Sequence, residues 1–191
     1  MAGCSKSLGI DIGSVSVKLA LFEDDRLVRT VYRRFHGRPF ETLHDILKEQ
    51  FSDLLGVPVN LAFTGIGGKT AQSVLGGKFF GEIASIAAGN FYAAPQVRTV
   101  VEMGGEDSKL IILDSERQLV KDFAMNAQCA AGTGSFLDQQ AGRLKISIED
   151  EFGQLALRSK SPPRIAGRCF RETQRSADCA DEREDKNETP N

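Results

Sequence analysis

The first group of residues that could do chemistry surrounds a glycine turn in the segment G-I-D-I-G-S-V-S-V-K near the start of the chain. A glycine at a hairpin tip lets backbone N–H groups approach an anion closely. The two serines add hydroxyl donors, the lysine adds a cation, and the aspartate could hold a magnesium ion through water. A plain hairpin with a Gly-Ser turn is the alternative interpretation. The candidate phosphate and magnesium residues are Asp11, Gly13, Ser14, Ser16 and Lys18.

A second segment, E-M-G-G-E-D-S-K, repeats this combination of glycines, carboxylates and a lysine. Carboxylates close to a phosphate make chemical sense mainly when a metal ion lies between them. A charged, solvated turn is the alternative. Two such turns in one chain favour a nucleotide gripped between two half-domains. The candidate residues of this segment are Glu102, Gly104, Gly105, Glu106, Asp107 and Lys109.

Two cysteines form a third candidate site. Cys129 precedes a predicted helix, whose N-terminal dipole and free N–H groups would stabilise a thiolate, and Cys169 follows 40 residues later. A lone cysteine is more often a small buried apolar residue. However, two cysteines per chain become four across a twofold axis, which is the number that a [4Fe–4S] cluster requires.

The elements that must position these residues form two similar units of a strand meander followed by helices. Period-2 alternation predicts strands over 8–22 and 27–35, and again over 99–103, 109–113 and 118–125. Helical spacing predicts helices over 39–55 and 82–92, from about 132 to 143, and over 147–157 with Ser147 as N-cap and Asp150 in an imperfect capping box. A short buried parallel strand is predicted over 59–63 and a loop over 64–68. The units therefore span about 8–95 and 98–169.

Composition excludes several classes of function. The chain has 191 residues and a formal net charge of −2, which argues against nucleic-acid binding by bulk charge. No apolar run approaches a membrane span and the N-terminus lacks a signal-peptide pattern, so we expect no membrane association and a cytoplasmic location. The four cysteines form no C-x-x-C pair, which excludes a zinc ribbon and a thioredoxin motif.

The last 22 residues, 170–191, differ from the rest of the chain. Eleven of them are charged and none is Leu, Ile, Val or Met. Such a segment cannot bury enough apolar surface to offset its ordering entropy, so we expect a disordered polar tail.

Together these motifs resemble the BadF/BadG/BcrA/BcrD ATPase family, the activators of 2-hydroxyacyl-CoA dehydratases and benzoyl-CoA reductases. G-I-D-I-G-S at 9–14 and E-M-G-G-E-D-S-K at 102–109 resemble its two phosphate motifs, and T-G-I-G at 64–67 resembles a family loop. The most specific stretch is N-A-Q-C-A-A-G-T-G-S-F-L-D at 126–138. The resemblance implies an α/β, actin- and sugar-kinase-like (RNase H-like) ATPase fold. It divides the chain into a first half-domain at 1–95, an incomplete second half-domain at 98–169 and the tail.

The resemblance also implies a mechanism. Asp11 and Glu102 become the catalytic carboxylates of an ATP, ADP and Mg²⁺ site. Cys129 and Cys169 become ligands of one [4Fe–4S] cluster shared by a homodimer. Reduced ferredoxin or flavodoxin would supply an electron, and ATP hydrolysis would drive it to a 2-hydroxyacyl-CoA dehydratase-like partner.

Two features depart from the family pattern. Glu102 and Glu106 stand where the second phosphate motif often carries Asp and Gln, which affects the positioning of metal and water. The switch to polar sequence at Phe170 is typical of a frameshift or a gene fragment, so we expect weak or absent ATP turnover for this chain alone. A small-molecule kinase of the same superfold, or a non-catalytic remnant that binds iron–sulfur or a partner, remain the alternatives.

Overall fold

The structure is a computed structural model that describes residues 5–126 and 133–162. The chain divides into two compact units, Met1–Lys145 and Ile146–Asn191. The predicted cluster ligands Cys129 and Cys169 and the predicted polar tail 170–191 lie outside the described residues, and the half-domain boundaries stay a prediction.

The first unit begins with a five-stranded sheet whose first three strands in the sequence form the predicted meander. Leu8, Ile10 and Ile12 are buried at alternate positions of the first strand, and the second strand continues the alternation, which confirms the period-2 prediction. The sheet order is β3-β2-β1-β4-β5, with β1 antiparallel to β2 and parallel to β4. The strands are β1 (Lys6–Ile12), β2 (Ser16–Glu23), β3 (Arg26–Arg34), β4 (Asn60–Thr64) and β5 (Lys78–Phe79).

The predicted helix over 39–55 is shorter in the structure. Helix α1 (Pro39–Gln50) buries Leu43 and Ile46 against the first sheet. The helix ends because the next residue, Phe51, leaves helical backbone geometry with φ −131° and turns its side chain into the core. Ser52–Leu54 then form a single 3₁₀ turn.

A second helix, α2 (Gly68–Leu75), follows β4 and was not predicted from the sequence. Its glycine-rich start has low helix propensity, which hides it from a propensity argument. The structure gives the glycines a packing role: a Cβ at Gly67 would lie 2.5 Å from Ile12 Cγ2 at the end of β1. The absence of a side chain therefore lets the start of α2 rest directly on the first strand.

The second sheet of this unit is the predicted antiparallel meander of β6 (Thr99–Met103), β7 (Ser108–Asp114) and β8 (Leu119–Asn126). Helix α3 (Glu82–Ala93), also predicted, packs on it through Ala87, which forms a small core with Ile111 and Leu113. Helix α4 (Gly134–Leu144) follows the second sheet.

The described part of the second unit is helical. A π turn, Ile148–Phe152, leads into α5 (Gly153–Leu157). The predicted N-cap is confirmed, since Ser147 Oγ accepts a hydrogen bond from Asp150 N at 3.1 Å. The return bond of the capping box is made by Glu151 rather than by Asp150, because Ser147 N donates to Glu151 Oε2 at 2.8 Å.

Helices long and apolar enough to span a membrane are absent from the described residues.

Candidate functional site

Each of the two glycine turns is closed by a backbone hydrogen bond of the same type. Gly13 N donates to Ser16 O at 3.1 Å, and Gly104 N donates to Asp107 O at 2.9 Å. Each turn thus links a residue to the third residue after it, between β1 and β2 in one case and between β6 and β7 in the other. The glycines that open the turns shape them, and their own N–H groups are already used.

The two turns also lie against each other. A Cβ built on Gly105 would lie 2.5 Å from Ser14 Oγ and 2.9 Å from Val15 Cγ1, which is closer than side-chain carbons pack. Only glycine at this position lets the second turn approach the first. The structure therefore brings together two motifs that are about 90 residues apart in the sequence.

The start of helix α4 rests on the second turn. Gly134 N donates to Gly104 O and Ser135 N donates to Gly105 O, both at 2.9 Å. The first N–H groups of a helix have no partner within the helix, so these carbonyls satisfy them. Helix α4 is in this way joined by hydrogen bonds to the turn predicted to hold a phosphate.

A cleft of about 490 Å³ opens between the two turns, which is within the range of ligand-binding pockets. Every residue predicted from the sequence for ATP, magnesium or catalysis lines it. They are Asp11, Gly13, Ser14, Ser16, Lys18, Glu102, Gly104, Gly105, Glu106, Asp107 and Lys109.

On the β1–β2 side of the cleft, Asp11 and Lys18 face each other across the antiparallel pair. Lys18 Nζ donates to Asp11 Oδ2 at 2.8 Å, and both side chains are partly exposed. A partly exposed pair of this kind adds little to stability. Both residues also line the cleft.

On the opposite side, Lys109 is buried among three carboxylates. Its Nζ lies 2.8 Å from Asp107 Oδ2, 3.0 Å from Glu102 Oε2 and 3.1 Å from Glu82 Oε2. Burial by itself lowers the pKa of Lys109, but the three hydrogen-bonded carboxylates outweigh it and hold this pKa above the ordinary lysine value. Lys109 is therefore a fixed positive charge at neutral pH.

Six residues that line the cleft were not among those predicted from the sequence. Glu82 begins α3, where an acidic residue is normally explained by the helix dipole, so its type alone gave no reason to place it in the site. Thr64 ends β4 inside a motif that the sequence singled out only as a loop. The full set is Val15, Thr64, Ile66, Glu82, Ser85 and Ile86.

The cleft fits a polyphosphate that arrives with a cation. Five carboxylates and two lysines line it, so a phosphate anion would be repelled unless a metal ion came with it. Among residues 5–126 and 133–162, no group of three or more Asp, Glu, His or Cys side chains is arranged to hold a metal alone.

The chain is similar to several known proteins. The sequence profile of the BadF/BadG/BcrA/BcrD ATPase family matches residues 8–189. The (R)-2-hydroxyglutaryl-CoA dehydratase activating ATPase of Acidaminococcus fermentans is 29% identical, over 85% of this chain and 62% of its own length. A benzoyl-CoA reductase component from Thauera aromatica is 32% identical, over 84% of this chain and 58% of its own length. The chain thus spans about three fifths of the length of these relatives.

A solved structure shows the same fold. The activator of the 2-hydroxyisocaproyl-CoA dehydratase from Clostridium difficile, with bound ADPNP, superposes with a TM-score of 0.73 at 26% identity. The superposition covers 93% of this chain and 66% of that one. It confirms the predicted α/β, actin- and sugar-kinase-like fold.

Proposed function

Since the chain belongs to the BadF/BadG/BcrA/BcrD ATPase family, we propose that it binds ATP and ADP in the cleft between its two glycine turns. We further propose that it acts as an ATP-dependent activator of a 2-hydroxyacyl-CoA dehydratase or of a benzoyl-CoA reductase type enzyme. The observation that carries the proposal is the contact of Gly105 with Ser14, which sets the two turns face to face across a cleft of nucleotide size. The ADPNP bound to the similar Clostridium difficile activator supports the same ligand.

Phosphate binding would use backbone N–H groups that do not form the hydrogen bonds closing the turns. Gly13 and Gly104 donate their N–H groups to those turn-closing hydrogen bonds. The next N–H groups, of Ser14 in the first turn and of Gly105 in the second, are the donors for the phosphate oxygens, and the hydroxyls of Ser14 and Ser16 add to them. Lys18 supplies a positive charge from the β1–β2 side.

Magnesium would be held from both sides of the cleft. Asp11 at the end of β1 would supply a carboxylate from one side, and Glu102 or Asp107 would supply one from the other. Bound there, Mg²⁺ neutralises the phosphate charge and aligns the terminal phosphate. We propose Asp11 and Glu102 as the catalytic carboxylates, which would orient water and metal against that phosphate.

The redox part of the proposal concerns Cys129 and Cys169. We propose that these cysteines from two copies of the chain hold one [4Fe–4S] cluster in a homodimer, which carries one electron from ferredoxin or flavodoxin to the partner enzyme. The dehydratase and reductase names of the relatives support this role. The hydrogen bonds from α4 to the second turn support a connection between nucleotide and cluster, because α4 begins only five residues after Cys129.

The proposal is tested with the full chain, produced without oxygen and supplied with iron and sulfide. Calorimetric titration with ADP and Mg²⁺ should show saturable binding that Asp11→Asn weakens, while Asp25→Asn, at an exposed turn, should bind like the unchanged protein. The loaded protein should then support electron delivery to a dehydratase of this type. A folded protein that binds no nucleotide would contradict the proposal. Phosphate transfer to a small molecule without bound iron would favour the kinase alternative.

A further inference from the structure

Thr64, one of the residues that line the cleft, carries a buried hydroxyl group. Thr64 Oγ1 is buried, and no hydrogen-bond partner for it lies within the described part of the chain. A buried hydroxyl without a partner destabilises the folded state relative to a hydroxyl that is hydrogen-bonded. Such a group in a ligand cleft is typical of a position that a ligand or an ordered water satisfies.

The position of Thr64 places this hydroxyl next to Asp11. Strands β1 and β4 are parallel, and Asp11 pairs with Thr64 at their carboxyl ends. Residues paired in this way project from the same face of a sheet. Ligands of α/β proteins bind beyond the carboxyl ends of such strands, and both residues line the cleft.

The residue after Thr64 keeps the two strand ends close. Gly65 has φ +82°, and a Cβ there would lie 2.5 Å from Asp11 Oδ1 and 2.4 Å from Ile12 O. Glycine is therefore needed for the β4–α2 connection to pass over the Asp11 carboxylate. As a result, Asp11 has Lys18 on its Oδ2 atom and this connection beside its Oδ1 atom.

Asp11 also differs from the carboxylates across the cleft in its partners. Glu82, Glu102 and Asp107 share the buried Lys109, whereas Asp11 pairs with Lys18, a partly exposed and flexible side chain. A flexible lysine can move aside for a cation more easily than a buried one. Magnesium keeps several of its waters in protein sites, and those waters need acceptors near the carboxylate.

We propose that Thr64 is a positioning residue for the magnesium–nucleotide complex, and that its hydroxyl accepts a hydrogen bond from a water of the Mg²⁺ ion held at Asp11. This inference rests on the proposed nucleotide site and adds a residue to it. Thr64 acts through the metal-bound water and does not contact the nucleotide. Its contribution therefore depends on magnesium, whereas a merely structural role would not.

The test compares ADP affinity of the full chain with Mg²⁺ and with EDTA, for the unchanged protein, Thr64→Val, Thr64→Ser and Thr99→Val. Mg²⁺ should increase the ADP affinity of the unchanged protein by a certain factor, and removing the hydroxyl should reduce that factor about fivefold, which corresponds to one typical hydrogen bond. The ADP affinity in EDTA should stay the same. Thr64→Ser keeps the hydroxyl and should stay within about twofold of the unchanged protein, as should Thr99→Val on exposed β6.

Thermal unfolding gives a second readout. In the absence of nucleotide, Thr64→Val should raise Tm, because it removes a buried polar atom that has no partner among the described residues. Addition of Mg²⁺ and ADP should raise the Tm of this variant by less than it raises the Tm of the unchanged protein. If the valine variant does not fold, Thr64→Ala replaces it. Equal magnesium dependence in the hydroxyl-free and unchanged proteins would overturn the inference. Absence of nucleotide binding by the unchanged protein would instead overturn the proposed function.

Discussion

Lys109 Nζ lies 3.1 Å from Glu82 Oε2, which ties the lysine of the second glycine motif to the first residue of helix α3. Helix α3 follows the first sheet in the chain and packs on the second, so this ion pair anchors the helix at the edge of the cleft. The pair sits in the same cluster as Glu102 and Asp107, which line the proposed phosphate site. The packing of α3 and the charge arrangement of the cleft therefore depend on one buried lysine.

Lys109→Met should destabilise the protein. The substitution leaves three partly buried carboxylates without their shared cation, and breaking a buried ion pair in this way costs about 3 kcal/mol of unfolding free energy. Urea denaturation measures the change. Lys48→Met is the matched control, because Lys48 is exposed in the last turn of α1 and should alter the unfolding free energy by less than about 0.5 kcal/mol. Equal stability of the two variants would disprove the importance of the cluster.

The contribution of Lys109 to stability should be lost only in alkali. Its pKa in the folded protein is raised above 10.5, the ordinary value expected in the unfolded chain. The folded state therefore keeps a proton that the unfolded state releases, so the stabilisation is complete below about pH 10.5 and falls as the pH rises further. The difference in unfolding free energy between the unchanged protein and Lys109→Met should be constant from about pH 7 to 9 and shrink above pH 10.5. A difference that already shrinks near neutral pH would contradict this.

Gly105→Ala should weaken nucleotide binding. The added methyl group would meet Ser14 Oγ at 2.5 Å and Val15 Cγ1 at 2.9 Å, and although the serine can rotate, the branched valine cannot move far. The two turns must separate, so we expect a loss of ADP affinity of about tenfold or more, measured by calorimetric titration. Gly89→Ala is the control: it lies within α3 with open space around it and should keep the affinity while stabilising the helix. Unchanged binding by Gly105→Ala would show that the turns need not touch.

Replacing the proposed cluster ligands should remove iron. Cys129→Ser and Cys169→Ser each take two of four thiolates from a homodimer, which should abolish the cluster, whereas Cys4→Ser and Cys179→Ser should leave it intact. Iron and sulfide analysis after anaerobic reconstitution measures this, together with the visible absorption of the cluster. Iron content that is the same in all four variants would exclude Cys129 and Cys169 as ligands.

Local sequence patterns were sufficient for much of the fold. The alternation of Leu8, Ile10 and Ile12 predicted β1 because a half-buried strand needs an apolar side chain at every second position, and the spacing of Leu43 and Ile46 predicted α1 for the corresponding helical reason. Helix α2 was not predicted because Gly67 and Gly68 at its start have low helix propensity. In the structure Gly67 lies against Ile12 and Gly68 against Phe79.

Some features of the candidate site could likewise be predicted from the sequence, and others could not. The two glycine turns, with their serines, lysines and carboxylates, could be predicted from the amino-acid sequence, because these motifs are local and their chemistry follows from residue type. Three relationships follow from the folded structure alone: Gly105 touches Ser14, Glu82 pairs with Lys109, and Thr64 lies beside Asp11 with a hydroxyl that has no partner among the described residues. These are long-range relationships set by strand pairing and helix packing, for which a single sequence carries no local signal.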